Sequence, residues 1–162
     1  MSTEIERKFL LATPPDWAHP VLAAGQRIEF EQIYLDVSAG HEERIRRRSS
    51  DGLVTYQHAH LSRISPGIRE IEEVEVDSAE YRRLRSLRDL RRRIVLKDRL
   101  AFHWHGLLFE LDRIRHPISR ACHLLEVQIE RTEQEVILPT FLHIDREVTY
   151  EQDYSNAQIA LG

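Results

Sequence analysis

Near its start the chain reads Glu4-Ile-Glu-Arg-Lys-Phe9, and this stretch carries the strongest structural signal in the sequence. Charged and apolar residues alternate along it, which predicts a β-strand with Glu4, Glu6 and Lys8 on one face. Two carboxylates on one strand face can share a hard cation through their oxygens. A lysine one step further along can hold a phosphate bound to that cation. Taken alone, the same pattern is also typical of a strand face exposed to water.

The composition limits the class of protein. The chain has 162 residues, of which 41% are hydrophobic and 31% charged, and these values predict one globular domain over residues 1–162. No apolar run is long enough for a membrane span, and the first residues lack the apolar stretch of a signal peptide. Cys122 is the single cysteine, which excludes an internal disulfide and favours a cytoplasmic setting. A net charge of -4 does not favour a nucleic-acid partner.

Turn residues divide the chain into short segments with strand character. Glycines or prolines at Gly40, Gly52, Gly67, Gly106 and Pro117 predict the turns between them. The predicted strands cover residues 3–12, 26–37, 42–49, 53–62, 68–76, 93–104, 107–114 and 122–130. A helix is predicted over 79–90 and a final helical turn near 155–161. Short strands at this spacing predict an antiparallel sheet that is curled or closed.

Several of the predicted strands carry both signs of charge on one face. The alternating charged or polar positions are Arg44, Arg46 and Arg48, then Lys97 and Arg99, then Glu110 and Asp112, then Glu126, Gln128 and Glu130. For any single strand, a polar face that meets water is the simpler interpretation. If the sheet closes with these faces inward, its lumen is costly to desolvate unless it binds ligands. Metal ions on the acids and a polyanion on the bases would satisfy both sets.

The order of these motifs resembles the CYTH family, also called triphosphate tunnel metalloenzymes. The resemblance covers nearly the whole chain, through the motifs Glu4-Ile-Glu-Arg-Lys8, Arg44-Ile-Arg46, Lys97-Asp-Arg99, Phe109-Glu-Leu-Asp112, Leu125-Glu-Val127, Glu147-Val-Thr149 and Tyr154-Ser-Asn156. It implies a mainly β, α+β fold: an eight-stranded antiparallel closed barrel with a charged lumen and flanking helices. It also implies hydrolysis of a small triphosphate-bearing molecule with Mg²⁺ or Mn²⁺.

The resemblance also implies a role for each matching position. Metal ligands would be Glu4, Glu6, Glu126 and Gln128. Catalytic residues would be Glu4, Glu6, Lys8 and Glu73. Substrate-binding residues would be Lys8, Arg44, Arg46, His58, Arg69, Lys97 and Arg99. The oligomeric state is open, with a homodimer as a candidate.

Some positions depart from the pattern of the family. Ile71 stands where a second Glu-x-Glu pair would begin, with Glu73 as its second acid, although a slip of one residue would turn Glu70 and Glu72 inward instead. Gln128 replaces a late acid, and no base follows Glu151-Gln-Asp153. These changes favour an alternative: an impaired tunnel that binds polyphosphate or nucleotide as a sensor or assembly subunit. Adenylate cyclase activity is a third, less favoured hypothesis.

Two further groups of residues admit both a functional and a structural interpretation. His58 or His60 stands where a base is expected on the fourth strand, and two imidazoles at this spacing can ligate Mn²⁺ or Zn²⁺. Alternatively, these histidines form hydrogen bonds in the lumen. The arginine-rich run over residues 82–93 is a conceivable RNA-binding surface, but a solvated helix face is the simpler interpretation.

Overall fold

A closed antiparallel barrel forms the body of the protein. The computed structural model describes residues 1–162. Its strands are β1 (Ser2–Leu11), β2 (Gln26–Ser38), β3 (His41–Ser50), β4 (Leu53–Ser65), β5 (Ile68–Val76), β6 (Val95–Trp104), β7 (Leu107–His116), β8 (Cys122–Ile129) and β9 (Ile144–Glu147). The helices are α1 (Pro20–Ala23), α2 (Ser78–Arg85) and α3 (Asn156–Ile159).

The first eight strands close into a ring, in the order β5-β4-β3-β2-β6-β7-β8-β1, with β5 pairing back onto β1. Every pairing around the ring is antiparallel. The predicted fold is therefore confirmed. The eight predicted strands all form, with limits that differ by a few residues from those expected. None of the helices has the length and apolar character that a membrane-spanning helix requires.

Strand β1 is the seam at which the barrel closes. One of its edges pairs with β8 from Ile5 to Leu10, while the other pairs first with β5 and then with β9. The backbone of Lys8 is fixed on this second edge, since its N–H donates to Thr149 Oγ1 over 2.9 Å and its carbonyl accepts from Val148 over 2.8 Å. The strand that carries the opening motif is thus held on both sides along most of its length.

Two turns position the seam and the neighbouring hairpin. Asp51 and Gly52 both have positive φ, 51° and 76°, which matches the two-residue turns that best connect antiparallel strands. Gly67 also has positive φ, and its carbonyl accepts a hydrogen bond of 2.9 Å from the Glu6 N–H. A Cβ at this position would lie 2.6 Å from the Glu6 carbonyl oxygen. Glycine is therefore required where the turn contacts the backbone of the opening motif.

The apolar outer wall is covered by helices and loops. Helix α2 buries Tyr81 and Leu84 against Ile33 and Ile45. A larger cluster on the far side of the barrel contains Phe9, Leu22, Leu100, Phe102, Phe109, Leu125, Val127 and Leu142. Helix α3 instead packs into one end of the barrel, where Ala157 and Ile159 join Tyr34 and Leu124. An apolar outer wall leaves the inner wall to the polar residues.

The structure differs from the sequence prediction in three elements. Helix α2 ends at Arg85, short of the predicted limit of residue 90, and beyond it Leu87 and Leu90 stay exposed. Without an apolar contact the last predicted turn gains nothing from tertiary packing. The short elements α1 and β9 were not predicted, because four residues carry too little periodicity to be detected.

Candidate functional site

The interior of the barrel holds two adjoining cavities of about 240 and about 390 Å³. Both are bordered by Glu6, Arg44, Arg46, Arg69 and Arg99, so they form one continuous charged space. The smaller cavity extends toward Lys8 and helix α3, and the larger toward the acids of β1, β5 and β7. The lumen therefore has a basic end, where bases outnumber acids around the smaller cavity, and an end where the two are equally represented.

Almost all of the residues proposed for the site from the sequence border this space. The residues brought together are Glu4, Glu6, Lys8, Arg44, Arg46, Arg69, Glu73, Lys97, Arg99, Glu126 and Gln128. They come from β1, β3, β5, β6 and β8, and each is aimed inward by the alternation of its strand. Their common location follows from the closure of the sheet.

His58 is the exception, and its predicted place in the lumen is wrong. The inward side chains of β4 include Ala59 and Leu61, which are buried with Ile71. His58 therefore points outward, and its Nε2 lies 2.8 Å from Glu43 Oε1. The physical reason is the register of β4, which places His58 opposite Ile45 on the outer wall. Neither His58 nor His60 borders the cavities, so neither hydrogen-bonds in the lumen.

The position of Ile71 resolves the register of β5. Ile71 is buried on the inner wall, and Glu73 lies on the same side, with its Oε2 3.2 Å from an Arg46 guanidinium nitrogen. Glu70 and Glu72 do not border the cavities. The alternative register, with those two acids inward, is thereby excluded. An apolar side chain occupies one position where the resemblance leads us to expect a carboxylate.

One side of the lumen contains a dense group of ion pairs. Arg99 donates two hydrogen bonds to Asp112, of 2.7 and 2.8 Å, and a third to Glu110. Lys97 Nζ lies 3.2 Å from Asp112 Oδ2 and donates to Asn156 Oδ1 over 2.9 Å. These charges are buried and mutually neutralised, which is the arrangement in which buried ions are tolerated. Arg99 and Lys97 are thereby fixed in place before any ligand arrives.

The predictions of site residues did not include Glu110, Asp112 and Asn156. Glu110 and Asp112 are two residues apart, so the sequence predicts that they share one strand face, as Glu4 and Glu6 do. Asn156 belongs to the Tyr154-Ser-Asn156 motif of the resemblance, but no residue pattern around it indicated a partner. Its contact with Lys97 depends on helix α3 entering the end of the barrel, which the local sequence does not encode.

The acids of β1 and β8 lie close to one another at the middle of the lumen. Burial raises the pKa of Glu6, and the neighbouring Glu126 carboxylate raises it further. Burial alone would also raise the pKa of Glu126, but Lys8 and Arg99, at 3.3 and 3.5 Å, outweigh it and lower that pKa. Gln128 donates its amide N–H to both Glu6 and Glu110 over 3.2 Å. Glu6 is thus the carboxylate with the least compensation from cations.

These carboxylates are suited to a hard cation, but most of them already have basic partners. Arg69 donates to Glu4 Oε2 over 2.9 Å, and Glu126 pairs with Lys8. Carboxylate oxygens are the ligands that Mg²⁺ and Mn²⁺ prefer. The donor set of Glu4, Glu6 and Glu126 therefore fits such an ion by its chemistry. The bases would have to turn toward an anion for the acids to take up a metal.

Two arginines of β3 are the cations that lack sufficient partners. Arg44 is only 4% exposed, makes no ion pair, and its Nε has no hydrogen-bond partner. The Nε of Arg46 is likewise buried without a partner. Burial lowers the pKa of Arg46 to about 9, with the nearby Arg44 charge adding to the effect. Buried guanidinium groups without acceptors are costly unless an anion completes them.

Arg46 and two cations of β6 face an aromatic ring. The Phe30 ring centroid lies 4.6 Å from Cζ of Arg46, 5.3 Å from Cζ of Arg99 and 5.6 Å from Nζ of Lys97. A ring face attracts cations and holds them without supplying a counter-charge. Phe30 therefore helps to gather positive charge in the lumen, and among these cations Arg46 keeps an unpartnered Nε–H for a ligand.

Comparison with solved structures identifies proteins with the same architecture. The inorganic triphosphatase NE1496 matches with a TM-score of 0.64 and 29% identity, over 100% of this chain and 97% of that chain. The PH1819 protein of Pyrococcus horikoshii OT3 matches with a TM-score of 0.60 and 19% identity, over 81% and 80% of the two chains. A putative adenylyl cyclase of Hippeastrum, HpAC1, matches with 0.52 and 18%, over 81% and 80%. The last two similarities concern the fold alone.

No protein-family model and no curated protein matches the chain. The resemblance is therefore supported by the structure: a closed eight-stranded barrel, the motifs of the resemblance on its inner wall, and full-length similarity to the inorganic triphosphatase NE1496. This evidence is consistent with the CYTH family, the triphosphate tunnel metalloenzymes, which the sequence resembles.

Proposed function

We propose that this protein hydrolyses a small triphosphate-bearing molecule, inorganic triphosphate or an organic triphosphate, inside the barrel with the aid of Mg²⁺ or Mn²⁺. The observation that carries the proposal is the pair of buried, incompletely partnered arginines, Arg44 and Arg46, facing the lumen. A polyanion would complete their hydrogen bonding, and the carboxylates beside them could hold a cation once their basic partners turn toward that anion. The similarity to NE1496, an inorganic triphosphatase, supports the same class of reaction.

In this proposal the bases hold the phosphate chain. Arg44 and Arg46 offer buried N–H groups that form charge-assisted hydrogen bonds to phosphate oxygens. Lys8, held 3.3 Å from Glu126 and donating to the Tyr154 carbonyl over 3.2 Å, adds a point charge at the basic end. Glu73, paired with Arg46, positions that guanidinium. Preorganised charge of this kind stabilises a phosphoryl-transfer transition state without reorganisation during the reaction.

The metal would be held by Glu4, Glu6 and Glu126, with Gln128 as the polar residue between Glu6 and Glu110. When bound, such an ion polarises a phosphoryl oxygen and activates water. The contribution of the chain itself is to keep these oxygens together on β1 and β8. The pleat of the strand fixes the backbone position of each acid, so the acids stay together when a metal ion replaces their basic partners.

Phosphate release from inorganic triphosphate tests the proposal. We expect turnover with Mg²⁺ or Mn²⁺, and a loss of about a hundredfold or more in Glu6→Gln, which keeps the shape of the side chain and removes the carboxylate. ATP and thiamine triphosphate, assayed in parallel, would define the substrate. If the wild type does not exceed Glu6→Gln with any of the three, hydrolysis is the wrong function for these substrates.

A second function, binding without turnover, is favoured by Ile71 and Gln128. Both lie on the inner wall in place of carboxylates that the resemblance leads us to expect. A polyphosphate or nucleotide would then occupy the lumen as a signal. Calorimetry separates the two functions, because this one predicts tight triphosphate binding with no phosphate release. Absence of binding would exclude both.

Triphosphate affinity should depend on pH through Lys97. Burial lowers the pKa of Lys97 to about 8, even though Asp112 opposes the shift. Below pH 8 the ammonium is charged in the empty protein, and above it the proton is lost. An anion favours the charged form, so affinity is highest below pH 8 and falls by up to about tenfold per pH unit above it.

Lys97→Arg is the matched variant, because arginine keeps its charge throughout this range. We expect a flatter pH dependence for the variant, measured by calorimetry without metal. Ionisation of the triphosphate itself affects both proteins equally. Identical slopes for the two proteins would show that Lys97 does not titrate in the empty lumen.

A further inference from the structure

Two histidines and a glutamate form a cluster on the outer wall of the barrel. Glu43 belongs to β3, and His58 and His60 belong to β4. The ligand atoms of all three lie within 4.8 Å of one another, and this is the only such group of three in the protein. None of the three borders the cavities of the lumen. The function proposed above makes no use of them.

The register of two strands brings these side chains together. Glu43 lies directly opposite His60 in the β3–β4 ladder, and His58 follows two residues along on the same face. Glu43 Oε1 is 2.8 Å from His58 Nε2 and 3.9 Å from His60 Nε2. One carboxylate oxygen therefore faces both ring nitrogens. Because the strands belong to a closed barrel, the backbone positions of the three ligands are fixed.

These distances suit a tetrahedral transition-metal ion. Zinc bonds to imidazole nitrogen and carboxylate oxygen at about 2.0–2.2 Å, which places adjacent ligand atoms about 3.3 Å apart in a tetrahedron. Separations of 2.8 and 3.9 Å lie on either side of that value, so small side-chain rotations reach it. Binding through Nε2 requires each imidazole to be deprotonated at that atom, and the proton that His58 shares with Glu43 is released to solvent.

Exposure of the cluster allows an ion to enter. The side chains of His58, Glu43 and His60 are 20%, 27% and 46% exposed. Three protein ligands on an accessible surface leave one tetrahedral position for water. The nitrogen donors select against Mg²⁺, which prefers oxygen ligands in octahedral geometry. The cluster and the lumen therefore differ in the metal that each one suits.

We propose that Glu43, His58 and His60 form a second metal site, outside the barrel, that binds Zn²⁺ or a chemically similar ion such as Co²⁺. It is independent of the carboxylates of the lumen. The competing account is a hydrogen-bonded cluster only, in which Glu43 accepts from His58 and no ion binds.

Metal titration of the whole protein distinguishes these accounts. With Mg²⁺ in excess to occupy oxygen-only sites, we expect calorimetry to show one Zn²⁺ bound per chain at this cluster. We expect Co²⁺ to give the strong visible absorption of a four-coordinate ion with nitrogen ligands. The double variant His58→Gln/His60→Gln should lower Zn²⁺ affinity by about a hundredfold or more, because it removes two direct ligands.

His41→Gln is the matched control. The His41 ring stacks 5.6 Å from that of His60 but lies outside the cluster, so this variant should keep both the affinity and the spectrum. Unchanged Zn²⁺ affinity in the double variant, or a weak six-coordinate Co²⁺ spectrum in the wild type, would overturn the proposal. If the double variant does not fold, Glu43→Gln supplies the same comparison. Phosphate release tests the lumen separately, so the two proposals fail independently.

Discussion

Arg44→Met is expected to remove triphosphate binding while making the empty protein more stable. Arg44 is buried with no ion pair and with its Nε unpartnered. In the empty protein no ion pair therefore offsets the free-energy cost of desolvating its charge. A methionine fills similar volume without that penalty, and such replacements commonly stabilise by about 1–4 kcal/mol. The same change deletes a charged donor for phosphate, at a cost of about 2–5 kcal/mol in binding. Thermal unfolding and calorimetry measure the two effects.

Arg99→Met is the matched control for this prediction. Arg99 also borders the lumen, but Asp112 and Glu110 already neutralise it. Its removal leaves Glu110 without a cation and Asp112 with Lys97 alone, and breaking a buried ion pair typically costs about 3–5 kcal/mol of unfolding free energy. Both variants should lose triphosphate, yet their stabilities should change in opposite directions. Equal destabilisation of both would mean that the Arg44 charge is already satisfied in the empty protein.

Glu126→Gln is expected to lower metal-dependent turnover by about a hundredfold to a thousandfold while sparing triphosphate binding in the absence of metal. Glu126 is only 4% exposed, and its pKa is lowered by Lys8 and Arg99, so it is ionised at neutral pH. The amide removes a metal ligand and at the same time releases two bases toward the anion. Affinity for triphosphate without metal should therefore stay equal or increase.

Glu130→Gln supplies the control, since this residue follows the same strand but is exposed. It should leave turnover and affinity unchanged. Phosphate release and calorimetry, each with and without Mn²⁺, provide both readouts. Equal turnover in the Glu126 and Glu130 variants would remove Glu126 from the proposed metal site.

Much of the lumen was predictable because side chains alternate along a strand with a fixed period. Once Glu4, Glu6 and Lys8 are assigned to one face, closure of the sheet brings them next to the charged faces of the other strands. The sequence alone could indicate which residues share a face. It could not indicate which face is inside, since a polar face ordinarily meets water.

Strand β4 illustrates this limit. Its two faces carry a histidine pair and a pair of small or apolar residues, and the charged pattern of its neighbours favoured the histidines as the inner face. In the structure Ala59 and Leu61 lie inside with Ile71, forming an apolar patch in an otherwise charged wall. The packing of β4 against β5 decides which face of β4 is inside, and the alternation of residues along β4 alone does not indicate it.

The sequence also could not predict which side chains pair with one another in the lumen. The pairing of Lys97 with Asp112 needs the antiparallel register of β6 and β7, and its pairing with Asn156 needs the docking of α3. The unpartnered state of Arg44 emerges only after all such pairings are known. The resemblance implies that Arg44 binds substrate, and the strongest structural support for that role is that its Nε has no hydrogen-bond partner.

The central claim, that the lumen binds a triphosphate between incompletely partnered arginines and clustered acids, is tested most directly by a crystal structure with Mn²⁺ and a non-hydrolysable imido analogue of triphosphate. The account predicts phosphate oxygens within hydrogen-bond distance of the Nε atoms of Arg44 and Arg46. It also predicts anomalous scattering from Mn²⁺ beside Glu6 and Glu126. An analogue bound outside the barrel, with both Nε atoms still unpartnered, would contradict it.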